Sequence, residues 1–296
     1  MLIVCILRTI FASTYLIGKQ SLLLIKPIFL VGSRISICGV LFLAYYVMRH
    51  KKIKVEKKHI WIFLQIALFK VYIPYVFDTV AAQYVSSHKW ALIYTCTPFI
   101  TAVFSYFMLH ERFGVMKLWG LAFGLLGFIP ILFIANTEEV VSSSMYYIPE
   151  CLIVISMIAY AYGWIITKKI VHCYDALLIN GISLSIGGAL SLLTSFFVES
   201  NVLLPSCTIY ESCFWIIIGI LANMSSYQLY VVLLKTHSPT LLSFTGLLDP
   251  IFIAFFNWLL FAQQISLYFF YSICLLSLGL YIFYKGEKTP SRMYNS

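Results

Sequence analysis

Residues 86–127, SSHKWALIYTCTPFITAVFSYFMLHERFGVMKLWGLAFGLLG, lie without a gap over residues 238–279, SPTLLSFTGLLDPIFIAFFNWLLFAQQISLYFFYSICLLSLG. Pro98 falls on Pro250, Phe104 on Phe256, Leu126 on Leu278 and Gly127 on Gly279. A slightly smaller shift places GSRISICGV, from Gly32, over GISLSIGGA, from Gly181. A chain that matches itself at so long a period reads as two copies of one structural unit. Composition decides what that unit is.

Of the 296 residues, 61% are hydrophobic and only 10% charged, and the apolar runs recur along nearly the whole chain. A hydrocarbon layer about 30 Å thick is crossed by roughly 20 apolar residues in a helix, and every backbone polar group inside it must be satisfied within the segment. The expected fold class is therefore an all-α membrane protein. The runs and the breaks between them give ten transmembrane helices, near residues 2–23, 27–48, 60–83, 88–109, 115–135, 148–169, 175–197, 212–234, 239–261 and 265–284. The short joints leave no room for a separate soluble domain. The first run has no basic leader and no small-residue cleavage pattern after it, so it reads as a span and not as a signal peptide.

Five spans per copy make the second copy enter the membrane upside down, which predicts two inverted five-helix repeats. The expected units are residues 1–137, an outside linker at 138–147, a second repeat at 148–285 and a cytoplasmic tail at 286–296. Charge agrees with inversion. The loop RHKKIKVEKKH, Arg49 to His59, is strongly basic, whereas its counterpart ESNVLLPSCTIYES, Glu199 to Ser212, has no Lys or Arg. Glu111 and Arg112 likewise correspond to Gln263 and Gln264. Basic loops stay in the cytoplasm, so both termini are expected inside.

The net charge of +9 would suggest nucleic acid in a soluble protein. Here the Arg49–His59 loop is expected to lie against anionic headgroups, and no nucleic-acid partner is expected. Six of the eight cysteines lie within or at the ends of apolar runs without metal-ligand spacing, so no metal site and no cofactor are expected. Cys207 and Cys213 share an outside loop and are open to pairing in an oxidising compartment. Zinc-protease, serine-hydrolase and intramembrane aspartyl-protease patterns and a Walker loop are missing, and all six His lie at or beyond span ends. An intramembrane enzyme is thus a distant alternative. A passive channel is another, weakened because the charged positions form no repeated ring.

The stretch from Pro98 to Phe113, the Glu after the fourth span, and the Gly-rich fifth span from Gly120 to Gly127 together resemble the EamA group of the drug/metabolite transporter superfamily, most strongly over residues 81–135. That resemblance implies a ten-span secondary carrier in a bacterial inner membrane, a small-molecule substrate, and a monomer or homodimer. It does not choose among amino acids, nucleotide sugars, drugs and other metabolites, moved inward or outward. One subgroup, through which intracellular bacteria exchange S-adenosylhomocysteine for S-adenosylmethionine, looks similar to this compact, Cys- and Lys-rich chain. Gln263 stands where the family's second Glu is usual, which argues for a loop role for Glu111 and against substrate contact.

Charges at membrane depth cost about 2.5 to 3.5 kcal/mol each on insertion scales, so they face the bundle interior and mark a pathway. Arg34, Asp78 and Asp249 are the expected substrate-binding charges, with Lys70 on the path near the cytoplasmic mouth, where its stem could snorkel. Arg8 and Lys19 read as snorkelling residues at helix ends. Within FKVYIPYVFD, residues 69–78, Lys70 and Asp78 are about 12 Å apart along a helix and about 80° around it, so they are not expected to pair. Pro74 is a candidate bend, and Pro98 and Pro250 are candidate gating positions. Tyr15, Tyr75, Tyr94, Trp164 and Tyr227 offer ring faces for an adenine or a sulfonium. Asn223 and Gln83 add neutral hydrogen bonding. The expected substrate is a zwitterionic or cationic metabolite. Asp78 or Asp249 is open to use as a proton site, which leaves exchange and proton coupling both possible.

Overall fold

The computed structural model describes residues 2–22, 24–50, 52–81, 83–85, 90, 93–134, 147–199, 209–261 and 267–288. All regular elements among them are helices. They are α1 (Leu2–Ser21), α2 (Pro27–His50), α3 (Lys57–Ile66), a π-helical turn (Ala67–Tyr72), α4 (Ile73–Ala81), α5 (Thr97–Leu109) and α6 (Val115–Ile134). There follow α7 (Ile148–Ile170), α8 (Ala176–Val198), α9 (Ile209–Thr236), α10 (Pro239–Thr245), a 3-10 turn (Gly246–Leu248), α11 (Asp249–Phe261) and α12 (Leu267–Lys288). Six helical stretches are long and apolar enough to cross a membrane: Pro27–His50, Lys57–Ala81, Ile148–Ile170, Ala176–Val198, Cys213–Thr236 and Pro239–Phe256. Ile3–Gly18, Thr97–Leu109 and Val115–Gly127 are shorter apolar helices.

Local chemistry sets the ends. Asp175 accepts a hydrogen bond from the Leu177 amide at 2.9 Å and starts α8; Ser238 does the same for the Leu241 amide at 3.1 Å, with Pro239 in the first turn of α10. The first turn of α2 is capped from another element: the two Glu199 oxygens accept from the amides of Ile28 and Phe29, each at 2.8 Å. His110 closes α5 in the left-handed conformation at φ 54°, and the Glu111 amide reaches back to Ser105 O at 3.1 Å. Of the helix expected over 88–109, Thr97–Leu109 is one continuous run with Pro98 in its first turn, while residues 88, 89, 91 and 92 lie outside the described residues. The 138–147 linker and the tail after Lys288 fall almost entirely outside the described residues, as does Cys207 and with it the question of its pairing.

Two tight seams organise the bundle. In the first, α2 packs on α8 through small residues. A Cβ added at Gly32 would meet Leu192, one at Gly188 would meet Ser36, and one at Gly181 would meet Leu43. The numbering falls along one helix as it rises along the other, so the pair is antiparallel. In the second seam α6 packs on α12, with Gly120 against Phe283, Gly124 against Gly279 and Gly127 against Leu276, again antiparallel. Lipid offers no hydrophobic gain for helix association, so small residues that admit close backbone approach supply the packing. Around the first seam, α1 lies on α9 and on α11, while α7 lies on α4 and on α5. Large apolar side chains such as Phe196 and Phe197 point outward, 82% and 77% exposed, as lipid-facing surface requires.

Candidate functional site

The interior between α1, α2, α4, α7 and α9 contains charge where the packing would otherwise be apolar. Lys70 is 0% exposed, so its stem does not snorkel to the surface. It sits in the π-helical turn, whose backbone is seated against α7 so closely that a Cβ at Gly163 would lie 2.5 Å from the Lys70 amide nitrogen. The irregularity expected at Pro74 therefore lies one turn earlier. Pro74 has no amide for the Lys70 carbonyl four residues back, and the Ile73 amide reaches five residues back to Leu68 O instead. The Lys70 Nζ donates to Asn180 Oδ1 at 3.2 Å, and Asn180 in turn donates to Gln228 at 3.2 Å. Above that bond the ammonium stands 4.9 Å from the Trp164 ring centre and 5.5 Å from that of Tyr227.

These rings belong to a continuous stack. Trp164 lies 3.8 Å from Tyr230 and 6.2 Å from Tyr227, both nearly parallel to it. The Tyr227 hydroxyl donates to that of Tyr75 at 2.5 Å, joining α9 to α4. Tyr75 and Asp78 are three residues apart and share one face of α4. Asp78 accepts from the Tyr94 hydroxyl, which also meets Ser156 at 3.0 Å, while Ser156 donates to Pro74 O at 3.1 Å. Trp90 stacks on Tyr94 at 4.2 Å. Asp78 pairs with neither Lys70 nor Arg34 among the described residues, and its Oδ1 is buried without a hydrogen-bond partner there.

At the other end of the stack, Arg8 is 5% exposed and does not snorkel. Its Nη1 is 3.2 Å from Asp249 Oδ2, its Nε donates to Thr245 Oγ1 at 2.8 Å, and its Nη2 donates to the Leu242 carbonyl. The guanidinium lies 5.4 Å from the Phe11 ring centre and 5.9 Å from that of Tyr230. The helix is interrupted by the 3-10 turn Gly246–Leu248, just before Pro250 in the first turn of α11, and this break presents Asp249 and the Leu242 carbonyl together to α1. Asp249 keeps one buried oxygen, Oδ1, without a hydrogen-bond partner among the described residues, although 30% of its side chain is accessible. Arg8 escaped the sequence reading because it stands only a few residues into its helix. The signal that could have found it is depth: Leu2 to Arg8 and Pro239 to Asp249 are rises of about 9 Å and about 15 Å on helices entering from the same side under the expected topology.

Arg34 is 5% exposed, and its Nε and Nη1 are buried with no hydrogen-bond partner among the described residues. Its ionisable neighbours are Tyr75, Cys38 and Tyr227. A Cβ at Gly219 would lie 2.5 Å from its Cδ, so α9 makes room for the stem. Asn223, 1% exposed on the same helix, also has an amide nitrogen, Nδ2, without a partner among the described residues. Gln83 is exposed, Pro98 and Pro250 stand in the first turns of α5 and α11, and the Tyr15 and Lys19 side chains lie outside what is described. Glu111 faces away from this interior: it meets Lys117 at 2.7 Å and accepts from Thr240 at 3.0 Å, a joint between loop and helix. No group of metal-binding side chains occurs among the described residues.

A model of the EamA-like transporter family matches residues 1–133 and, separately, residues 148–285. The S-adenosylmethionine/S-adenosylhomocysteine transporter of Chlamydia trachomatis serovar L2 is 26% identical over 284 residues, which cover 94% of this chain and 86% of that protein. The protein of the same name from Chlamydia muridarum is also 26% identical, covering 94% and 89%. Uncharacterized transporter YoaV of Bacillus subtilis is 24% identical, covering 92% of each chain. A solved crystal structure superposes with a TM-score of 0.77 at 16% identity over 94% of both chains, a likeness of fold.

Proposed function

The chain belongs to the EamA-like transporter family, and from that premise we propose that it is a secondary carrier taking up S-adenosylmethionine in exchange for S-adenosylhomocysteine. It works by alternating access between two inverted five-helix halves, as ten spans of a bacterial inner membrane with both termini in the cytoplasm. Support for the halves comes from the sequence shift of 152 residues, which carries Thr97–Leu109 onto Asp249–Phe261, and from the antiparallel packing of the corresponding helices α2 with α8 and α6 with α12. Two halves in that relation place a binding site near the midplane and open it to either side in turn.

The observation that carries the substrate reading is unspent charge of both signs along one aromatic stack. Among the described residues Arg34 holds two buried N–H groups with no hydrogen-bond partner, and Asp78 and Asp249 each hold one such oxygen, Oδ1. Burying such groups is costly unless a ligand completes them. A zwitterion does so: its carboxylate suits Arg34, its ammonium suits the aspartates, and the ring faces of Trp164, Tyr227 and Tyr75 suit its sulfonium and its adenine. The similarity to carriers named for S-adenosylmethionine and S-adenosylhomocysteine selects this zwitterion among others.

The test is uptake of labelled S-adenosylmethionine by cells expressing the chain, competed by unlabelled S-adenosylhomocysteine and by ordinary amino acids. Saturable uptake, blocked by S-adenosylhomocysteine and lost in Arg34→Ala, is expected. Uptake blocked by amino acids instead reassigns the substrate to that class.

A further inference from the structure

The substrate reading leaves Lys70 without a task. It is a fully buried ammonium with a single hydrogen bond, to a neutral amide, and no acidic partner among the described residues. Its remaining contacts are ring faces, Trp164 at 4.9 Å and Tyr227 at 5.5 Å. Two electron-rich faces around a point charge form a cation box, the arrangement that recognises onium centres. Here the occupant is covalently tethered. The tether is irregular: it is a π-helical turn, a feature that recurs at functional sites and relaxes by passing its extra residue along the helix. Such a shift would swing Lys70 about the helix axis, away from the rings.

We propose that Lys70 is a tethered cation that competes with the substrate's own cationic centre for the Trp164–Tyr227 box, and so sets the preference between a sulfonium and a neutral thioether. The inference rests on the substrate reading above. S-adenosylmethionine and S-adenosylhomocysteine differ only by the methyl group that makes the sulfur cationic. With Lys70 in the box the neutral thioether is accommodated and the sulfonium repelled. With Lys70 withdrawn the box attracts the sulfonium.

The experiment measures inhibition constants of S-adenosylmethionine and of S-adenosylhomocysteine against labelled uptake, for wild type, Lys70→Met, Lys70→Gln and Lys70→Arg, normalised to protein in the membrane. Loss of the tethered charge should move the ratio of the two constants about tenfold toward S-adenosylmethionine in the Met and Gln variants. The Arg variant should keep the wild-type ratio. A wild type that recognises neither compound overturns the substrate reading itself. Recognition of both by wild type, with an unchanged ratio in both neutral variants, overturns the role of Lys70 alone. Failure of both neutral variants to reach the membrane, where the Arg variant does, assigns Lys70 to folding and overturns it too.

Discussion

At the scale of single residues, Arg8 and Asp249 show how an interior ion pair acts twice. Their 3.2 Å contact holds α1 against the break before α11, and Oδ1 has no hydrogen-bond partner among the described residues, which leaves it for the proposed ligand. Removing one partner of a buried pair leaves an uncompensated charge, and costs about 3 kcal/mol or more, whereas removing both is far milder. Arg8→Met should therefore lower the thermal midpoint of the purified protein and its yield in the membrane, and Arg8→Met with Asp249→Asn should regain much of both. Asp249→Asn alone keeps the shape and loses the charge-assisted bond, worth about 2 kcal/mol. Initial uptake, normalised to protein in the membrane, should then fall about thirtyfold. Normal uptake by that variant would remove Asp249 from the substrate site.

At the scale of elements, the π-helical turn is where sequence reading and structure part company. The stretch FKVYIPYVFD gave notice of a disturbed helix, and Pro74 was the visible cause. Yet a proline acts on the carbonyl four residues behind it, so the disturbance falls on Lys70 and its neighbours. The long apolar runs and the shift of 152 residues were legible because hydropathy and self-similarity are properties of sequence alone. Which charges meet was not, since Arg8 with Asp249 and Lys70 with Asn180 are joined across more than a hundred residues by helix rotation that no local pattern records. Gly163 tests the element. A Cβ there would lie 2.5 Å from the Lys70 amide nitrogen and 2.6 Å from its Cα, both backbone atoms that cannot turn aside. Overpacking of this kind costs about 1 to 3 kcal/mol. Gly163→Ala should lower the thermal midpoint and slow exchange, and Gly114→Ala, where nothing lies within 4 Å of the added Cβ, should do neither.

At the scale of the whole molecule, the described conformation is fastened at both ends of the α2–α8 seam. At one end Glu199, beyond α8, caps the first turn of α2. At the other, Tyr174, just before α8, bonds His59 at 2.7 Å and the Glu56 amide at 3.2 Å. Under the proposed inversion these fasteners lie on opposite sides of the membrane, and alternating access opens them in turn. The inversion is itself open to direct measurement, because it assigns the corresponding loops 49–59 and 199–212 to opposite faces. In a background without other reactive cysteines, a membrane-impermeant maleimide added to intact cells should label Glu211→Cys and spare Lys54→Cys. Permeabilised cells should label both. Charge gives the physical reason, since a loop carrying Arg49, Lys51, Lys52, Lys54, Lys57 and Lys58 resists translocation while its counterpart has no basic residue to hold it back. Labelling of both positions from the outside would place the two loops on one face. The halves would then be parallel, and a site built from their antiparallel seams would lose its basis.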